Sequence, residues 1–186
     1  MMRLIQLTIL SCSLLAGSRA TAQSRPDFSG RWASQSPTET PSARDVAAGT
    51  RPPPKVDLGS GWGRAITIAQ NDRTLVVEWP FFSTYDLQPP LRFTYALDGS
   101  ETINTVMMGR GMQKQRGRAT WSGNSLVLVT VHSFPDPKTG RPIESEVRQT
   151  LTLESPTSLV IETVRAGVLG GPSSTSRTVY AKGGGA

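Results

Sequence analysis

Ala65-Ile66-Thr67-Ile68-Ala69-Gln70-Asn71-Asp72-Arg73-Thr74-Leu75-Val76-Val77-Glu78-Trp79 is a pair of short, β-branched runs about a polar turn. In an extended chain side chains alternate faces, so Ile66 and Ile68 share one side. Asn71-Asp72-Arg73 is turn chemistry, and residues 74–79 are the return strand. The stretch reads as a β-hairpin.

The same grammar continues outward. Residues 91–97 and 101–107 flank Asp98-Gly99, a hairpin turn that makes them partners. Residues 109–113 read as another turn, and 114–121 leads through Gly123-Asn124 into 126–132. There Leu126, Leu128, Thr130 and His132 share one face and Val127, Val129 and Val131 take the other, which predicts cover on both sides. A loop over 135–142 precedes a strand at 143–153, which pairs through 155–158 with 159–165; residues 174–181 are the last strand. Toward the N terminus, 28–33 reads as a short first strand. Residues 36–60 follow, broken by Pro37, Pro41, Pro52, Pro53 and Pro54, and are predicted to be a loop that lies over the domain as a lid. No stretch holds a 3.6-residue stripe. The predicted fold class is all-β, an antiparallel meander of about eight to ten strands closed into a barrel, because closure hides the edge strands.

Length and composition agree with one domain. The chain has 186 residues, 37% apolar with 18 glycines, enough for a core and unlike a disordered chain. Met1-Met2-Arg3, an apolar run over 4–16 and Ala20-Thr21-Ala22 have the layout of a secretory signal peptide cleaved after Ala22. The run is too short for a membrane-spanning helix, and no other stretch could be one. The expected organisation is a signal peptide at 1–22, a single barrel domain at 23–182 and a flexible tail at 183–186, in a periplasmic or secreted protein. Ile9-Leu10-Ser11-Cys12 offers an alternative, a lipoprotein anchored through Cys12. Arg3 and Arg19 fall in the leader, so 18 of the 20 bases face all 14 acids in the remainder, a mild excess that does not by itself imply nucleic acid.

Gly30-Arg31-Trp32 on the first strand, a long first loop, the meander and a basic Arg177 in the last strand together resemble the calycin superfamily, the lipocalin-like and avidin-like barrels. The leader followed by Asp27-Phe28-Ser29-Gly30-Arg31-Trp32, the run Trp121 to Thr130 and the closing Thr178-Val179-Tyr180-Ala181-Lys182 also resemble exported bacterial proteins of lipocalin-like type. The second lipocalin signature, T-D-x-x-Y, is absent. The resemblance implies a barrel whose Trp32, beside Gly30, plugs one end with Arg177 packed across it. It also implies an apolar ligand taken at the other end.

The residues that carry chemistry are few. The single Cys12 lies in the leader, so the remainder has no disulfide, thiol nucleophile or cysteine-ligated zinc. His132, the only imidazole, has no nucleophile elbow or orienting acid marked beside it, and cannot form a multi-histidine metal site. Met107, Met108 and Met112 flank one turn; thioethers suit Cu(I) but also fill apolar gaps. Glu144 and Glu146 share what reads as a wet strand face. No cofactor is expected, no catalytic residue is assigned, and nothing matches a nucleotide or nucleic-acid motif.

The densest aromatic cluster is Trp79, Phe81 and Phe82 with Tyr85 and Phe93; at a strand end beside a long loop it fits the mouth of a barrel or ordinary core closure, and Trp62, Trp79, Phe81, Phe82 and Tyr85 are placed at the mouth. Arg110, Lys114, Arg116 and Arg118 form a basic patch, of which Arg110, Arg116 and Arg118 are placed against an anionic head group. Inward polar positions such as Gln149 line a cavity better than a dry core. The expected function is non-enzymatic binding of a small apolar or anionic amphipathic ligand. The alternatives are a filled barrel presenting loops to another exported protein, as an inhibitor does, and an isomerase or cyclase on the same scaffold.

Overall fold

A computed structural model describes residues 25–35, 59–80, 89–108, 111–136, 138–167 and 171–183. The expected leader with Cys12, residues 36–58 of the predicted lid, the aromatics Phe81, Phe82 and Tyr85, Arg110 and the expected tail beyond residue 183 lie outside the described residues.

Ten strands follow one another: β1 (Gly30–Ser34), β2 (Ala65–Gln70), β3 (Thr74–Trp79), β4 (Leu91–Ala96), β5 (Thr102–Met108), β6 (Gly111–Ser122), β7 (Ser125–Pro135), β8 (Pro142–Ser155), β9 (Ser158–Arg165) and β10 (Ser174–Lys182). There is no helix among the described residues. All pairings are antiparallel and the sheet order is β4-β3-β2-β1-β10-β9-β8-β7-β6-β5, a single sheet curled into a nearly closed barrel. Alternation decides what faces inward. Ile66 and Ile68 on β2, Leu75 and Val77 on β3, Phe93 and Tyr95 on β4, and Leu126 and Leu128 on β7 are all buried. The outer face carries ion pairs instead, Arg92–Glu78, Arg116–Glu144, Arg148–Glu146 and Arg177–Glu154, each exposed and worth at most about 1 kcal/mol. Among the described residues no helix is long and apolar enough to cross a membrane.

The turn at Asp98-Gly99 corrects an expectation. β4 and β5 are consecutive in sequence, yet no backbone ladder joins them; they are the two edges of the sheet. Side chains bridge the seam. The Asn104 Oδ1 accepts from the Thr94 N–H at 2.7 Å, and its Nδ2 donates to the Thr94 carbonyl at 3.1 Å. The Thr102 hydroxyl donates to the same carbonyl at 2.7 Å. One buried primary amide thus takes the place of a strand's paired N–H and C=O, the groups that an edge otherwise leaves unmet. Gly117, the register partner of Thr102, keeps the space behind the seam free: a Cβ there would sit 3.0 Å from the Tyr95 ring and 3.2 Å from Asn104 Nδ2. The turn expected over 109–113 is also narrower, because the β5–β6 ladder continues through Val106↔Gln113 and Met107↔Met112 to Met108↔Gly111.

One end of the barrel is sealed. Its strands are joined there by tight turns at 71–73, 97–101, 123–124 and 156–157. The segment before β1 crosses it: the Phe28 N–H donates to Gln70 Oε1 at 3.1 Å, and the Phe28 ring stacks on Trp121 with centroids 6.1 Å apart. Trp32 is buried and its Nε1 donates to the Phe28 carbonyl at 2.9 Å. The cation over Trp32 is Lys182, with Nζ 5.3 Å from the ring centroid, and not Arg177, which lies on the outer face with Glu154. Register explains the difference. Lys182 is the β10 partner of Trp32, whereas Arg177 is five residues back on the opposite face. Gly30, at φ 147°, clears the way for Lys182, whose Cε would lie 2.8 Å from a Cβ at that position. Arg25 caps Trp121 in the same manner at 5.1 Å.

Truncating the seal, Trp32→Ala, is expected to destabilise the protein by about 3–5 kcal/mol in urea unfolding; a loss below 1 kcal/mol (by the same reasoning) would show that Trp32 seals nothing. Asn104→Leu, which leaves the Thr94 N–H unmet and its carbonyl with Thr102 alone, is expected to cost about 1–3 kcal/mol and to speed amide exchange at Thr94.

Candidate functional site

The opposite end is built differently. There the strands are joined by residues 35–64, 80–90, 109–110, 136–141 and 166–173, all but one of them longer than the turns of the sealed end. Inside this end lies a cavity of about 170 Å³.

One wall is aromatic. Trp79 closes β3 opposite Leu91, and Phe93 and Tyr95 follow on the inward face of β4. Their rings form a ladder: Trp62 to Trp79 at 5.9 Å, Trp79 to Phe93 at 5.2 Å and nearly parallel, Phe93 to Tyr95 at 6.5 Å. Such offset stacking holds the wall in place and presents ring faces and edges to the cavity. The facing wall is polar. β7 contributes Thr130 and His132, β8 Gln149 and β9 Arg165, with Val147 between them. At the base the Tyr95 and Thr130 hydroxyls share a 2.8 Å hydrogen bond across the barrel. Burial pushes the Tyr95 phenol up to about 12, so it stays neutral.

The third wall is a loop that dips into the barrel. Gly59-Ser60-Gly61-Trp62-Gly63 precedes β2, and side chains from the far strands hold its carbonyls. The Ser60 carbonyl accepts from Gln149 Nε2 at 2.7 Å and from the Thr163 hydroxyl at 3.4 Å. Arg165 donates to the Gly59 carbonyl at 2.6 Å and to the Ser176 hydroxyl at 3.2 Å; Ser176 also donates to Gly59. Tyr180 donates its one proton to the Gly63 carbonyl at 2.7 Å, so Ser60 is the donor in its 2.6 Å bond to Tyr180. Burial raises the Tyr180 pKa, and the bond to Ser60 opposes that shift. The loop can follow this path because Gly61 has φ 85° and sits where a Cβ would come within 3.1 Å of the Arg165 guanidinium.

His132 is half-buried in the polar wall. Burial alone holds its pKa below the usual imidazole range, and among the described residues its ring makes no hydrogen bond. No Asp or Glu lines the cavity among the described residues, and no three His, Cys, Asp or Glu cluster anywhere among them. The arrangement offers apolar contact, aromatic edges, a few neutral hydrogen-bonding groups and one guanidinium, Arg165, which is bonded to Gly59 and Ser176. Among the described residues it holds no pair of titratable groups pushed to opposite protonation states.

The structure brings Trp62 and Trp79 to the cavity, together with Gln149. It does not bring Arg116 or Arg118 there. Both point outward from β6, Arg116 forked on Glu144 at 2.7 and 2.8 Å and Arg118 donating to the Gly99 carbonyl at 2.9 Å. Met107 and Met112 are likewise cross-strand partners on the outer face. Sequence reasoning missed Ser60, Tyr95, Thr130 and Arg165. The run of alternate glycines at 59, 61 and 63 was the one signal for the loop. Comparisons with family models, with curated proteins and with solved structures give no match for this chain.

His132 predicts a pH dependence. Its folded pKa is depressed, so the unfolded chain binds the proton more readily. The stability tied to the neutral ring is present above about pH 6.5 and lost as pH falls through the lower folded value. The melting temperature is therefore expected to fall between pH 7 and 5, and His132→Gln to flatten that slope. An unchanged slope in the variant would remove His132 from the account.

Proposed function

We propose that this chain is an exported binding protein of lipocalin-like type, which takes a small amphipathic molecule into the open end of its barrel. The observation that carries this reading is the hollow of about 170 Å³ between an aromatic wall and a polar one, the composition of a ligand site rather than of a filled core. The leader at 1–22 supports the exported setting, and the Trp32 seal with Lys182 across it supports the lipocalin-like plan. The cavity is smaller than the roughly 300–1,000 Å³ of sites for drug-sized ligands, so the ligand is small and long acyl chains are disfavoured. An enzymatic reading has less support, because among the described residues the polar wall holds one imidazole with no carboxylate beside it.

A second reading, docking to another exported protein, draws on exposed Ile103 and Met112, 57% and 61% accessible on the β5–β6 outer face. Native mass spectrometry of the protein from its own exported fraction separates the two. Binding predicts a co-purifying small molecule, whose re-addition at a hundredfold excess over its Kd raises Tm by about 5–10 °C. A clean apo mass with no thermal shift across a metabolite panel would overturn the binding reading.

A further inference from the structure

We infer that the ligand is a single aromatic ring bearing one hydroxyl, a monocyclic phenol. The inference rests on the binding reading above and narrows it by three observations. The first is size. A dry cavity of about 150 Å³ holds one benzene ring, and this one is about 170 Å³. The second is the wall: Trp79 and Phe93 are stacked on one another, within 17° of parallel at 5.2 Å, in a ladder that runs from Trp62 to Tyr95, and a flat ring can join such a ladder by an offset or edge-to-face contact that a bent chain cannot make. The third is His132. Its imidazole lines the same cavity, burial is the one influence on its pKa, and no hydrogen bond satisfies it among the described residues. A neutral imidazole offers one donor and one acceptor. A hydroxyl answers both, giving its proton to the free ring nitrogen or taking one from the N–H. The neighbouring polar groups have partners, Thr130 in Tyr95, the Gln149 amide in the Ser60 carbonyl and Arg165 in Gly59 and Ser176, so His132 is left to read the ligand.

The test titrates the full-length mature protein with phenol, toluene, cyclohexanol and decanoate, followed by tryptophan emission and calorimetry. Phenol is expected to bind saturably, about tenfold tighter than toluene, which lacks the hydroxyl, and than cyclohexanol, which lacks the flat ring. His132→Leu is expected to bring phenol down to the level of toluene while toluene itself is unchanged or tighter, which also shows that the variant is folded. Equal affinity for phenol and toluene, or a phenol preference that survives His132→Leu, would overturn the inference and leave the binding reading standing. So would binding of decanoate with phenol silent. Failure of all four probes in a folded protein, together with a clean apo mass, would take down both.

Discussion

A barrel of ten strands encloses more space than its inward side chains fill. Eight strands make an interior that side chains can just occupy; beyond that number the middle must be plugged or left open. Both outcomes occur here, one at each end. At the end of tight turns, Phe28, Trp32 and Trp121 bring the largest available side chains to the axis, and the chain before β1 is drawn across to place them. At the other end residues 59–63 are drawn in as a backbone plug, and what they leave unfilled is the cavity.

The backbone plug accounts for the polar residues of the interior. A carbonyl brought into a barrel must find a donor, since a buried and unmet polar group costs about 1–3 kcal/mol. Gln149, Thr163, Arg165, Ser176 and Tyr180 face inward on β8, β9 and β10 where leucine or valine would otherwise serve, and each bonds within or to the 59–63 loop. The interior therefore has an apolar half, built by β2, β3, β4 and the sealed end, and a polar half. The cavity lies on the border between them. Its amphipathic character follows from closing a wide barrel with a loop.

Much of this was legible in the sequence. Period-two alternation at Ile66, Ile68, Leu126 and Leu128 gave the inward faces, and the turn residues gave the strand order. Trp32 as a buried side chain was expected from the Gly30-Arg31-Trp32 resemblance, while Gln149 was read as an inward polar position that periodicity alone could not assign to a cavity or a core. What failed was register and closure. Lys182 replaces Arg177 over Trp32 because residue counts do not tell which side chain of β10 stands opposite β1. Asp98-Gly99 reads as a hairpin, yet its two strands are the sheet edges, because the Asn104 amide supplies the hydrogen bonds of a ladder from a side chain. Arg116 and Arg118 formed a basic cluster in sequence but alternate outward, away from the cavity. Ser60, Tyr95, Thr130 and Arg165 meet only once the strands have closed, and no local pattern brings them together.

The central claim is a barrel hollow at one end and sealed at the other, and a crystal structure under xenon pressure tests it most directly, since xenon enters apolar voids and is excluded from filled cores. The account predicts a xenon atom against Trp79 and Phe93, and none among Phe28, Trp32 and Trp121. Xenon at the Trp32 end, or a barrel with no xenon and with side chains filling the space beside Phe93, would contradict it.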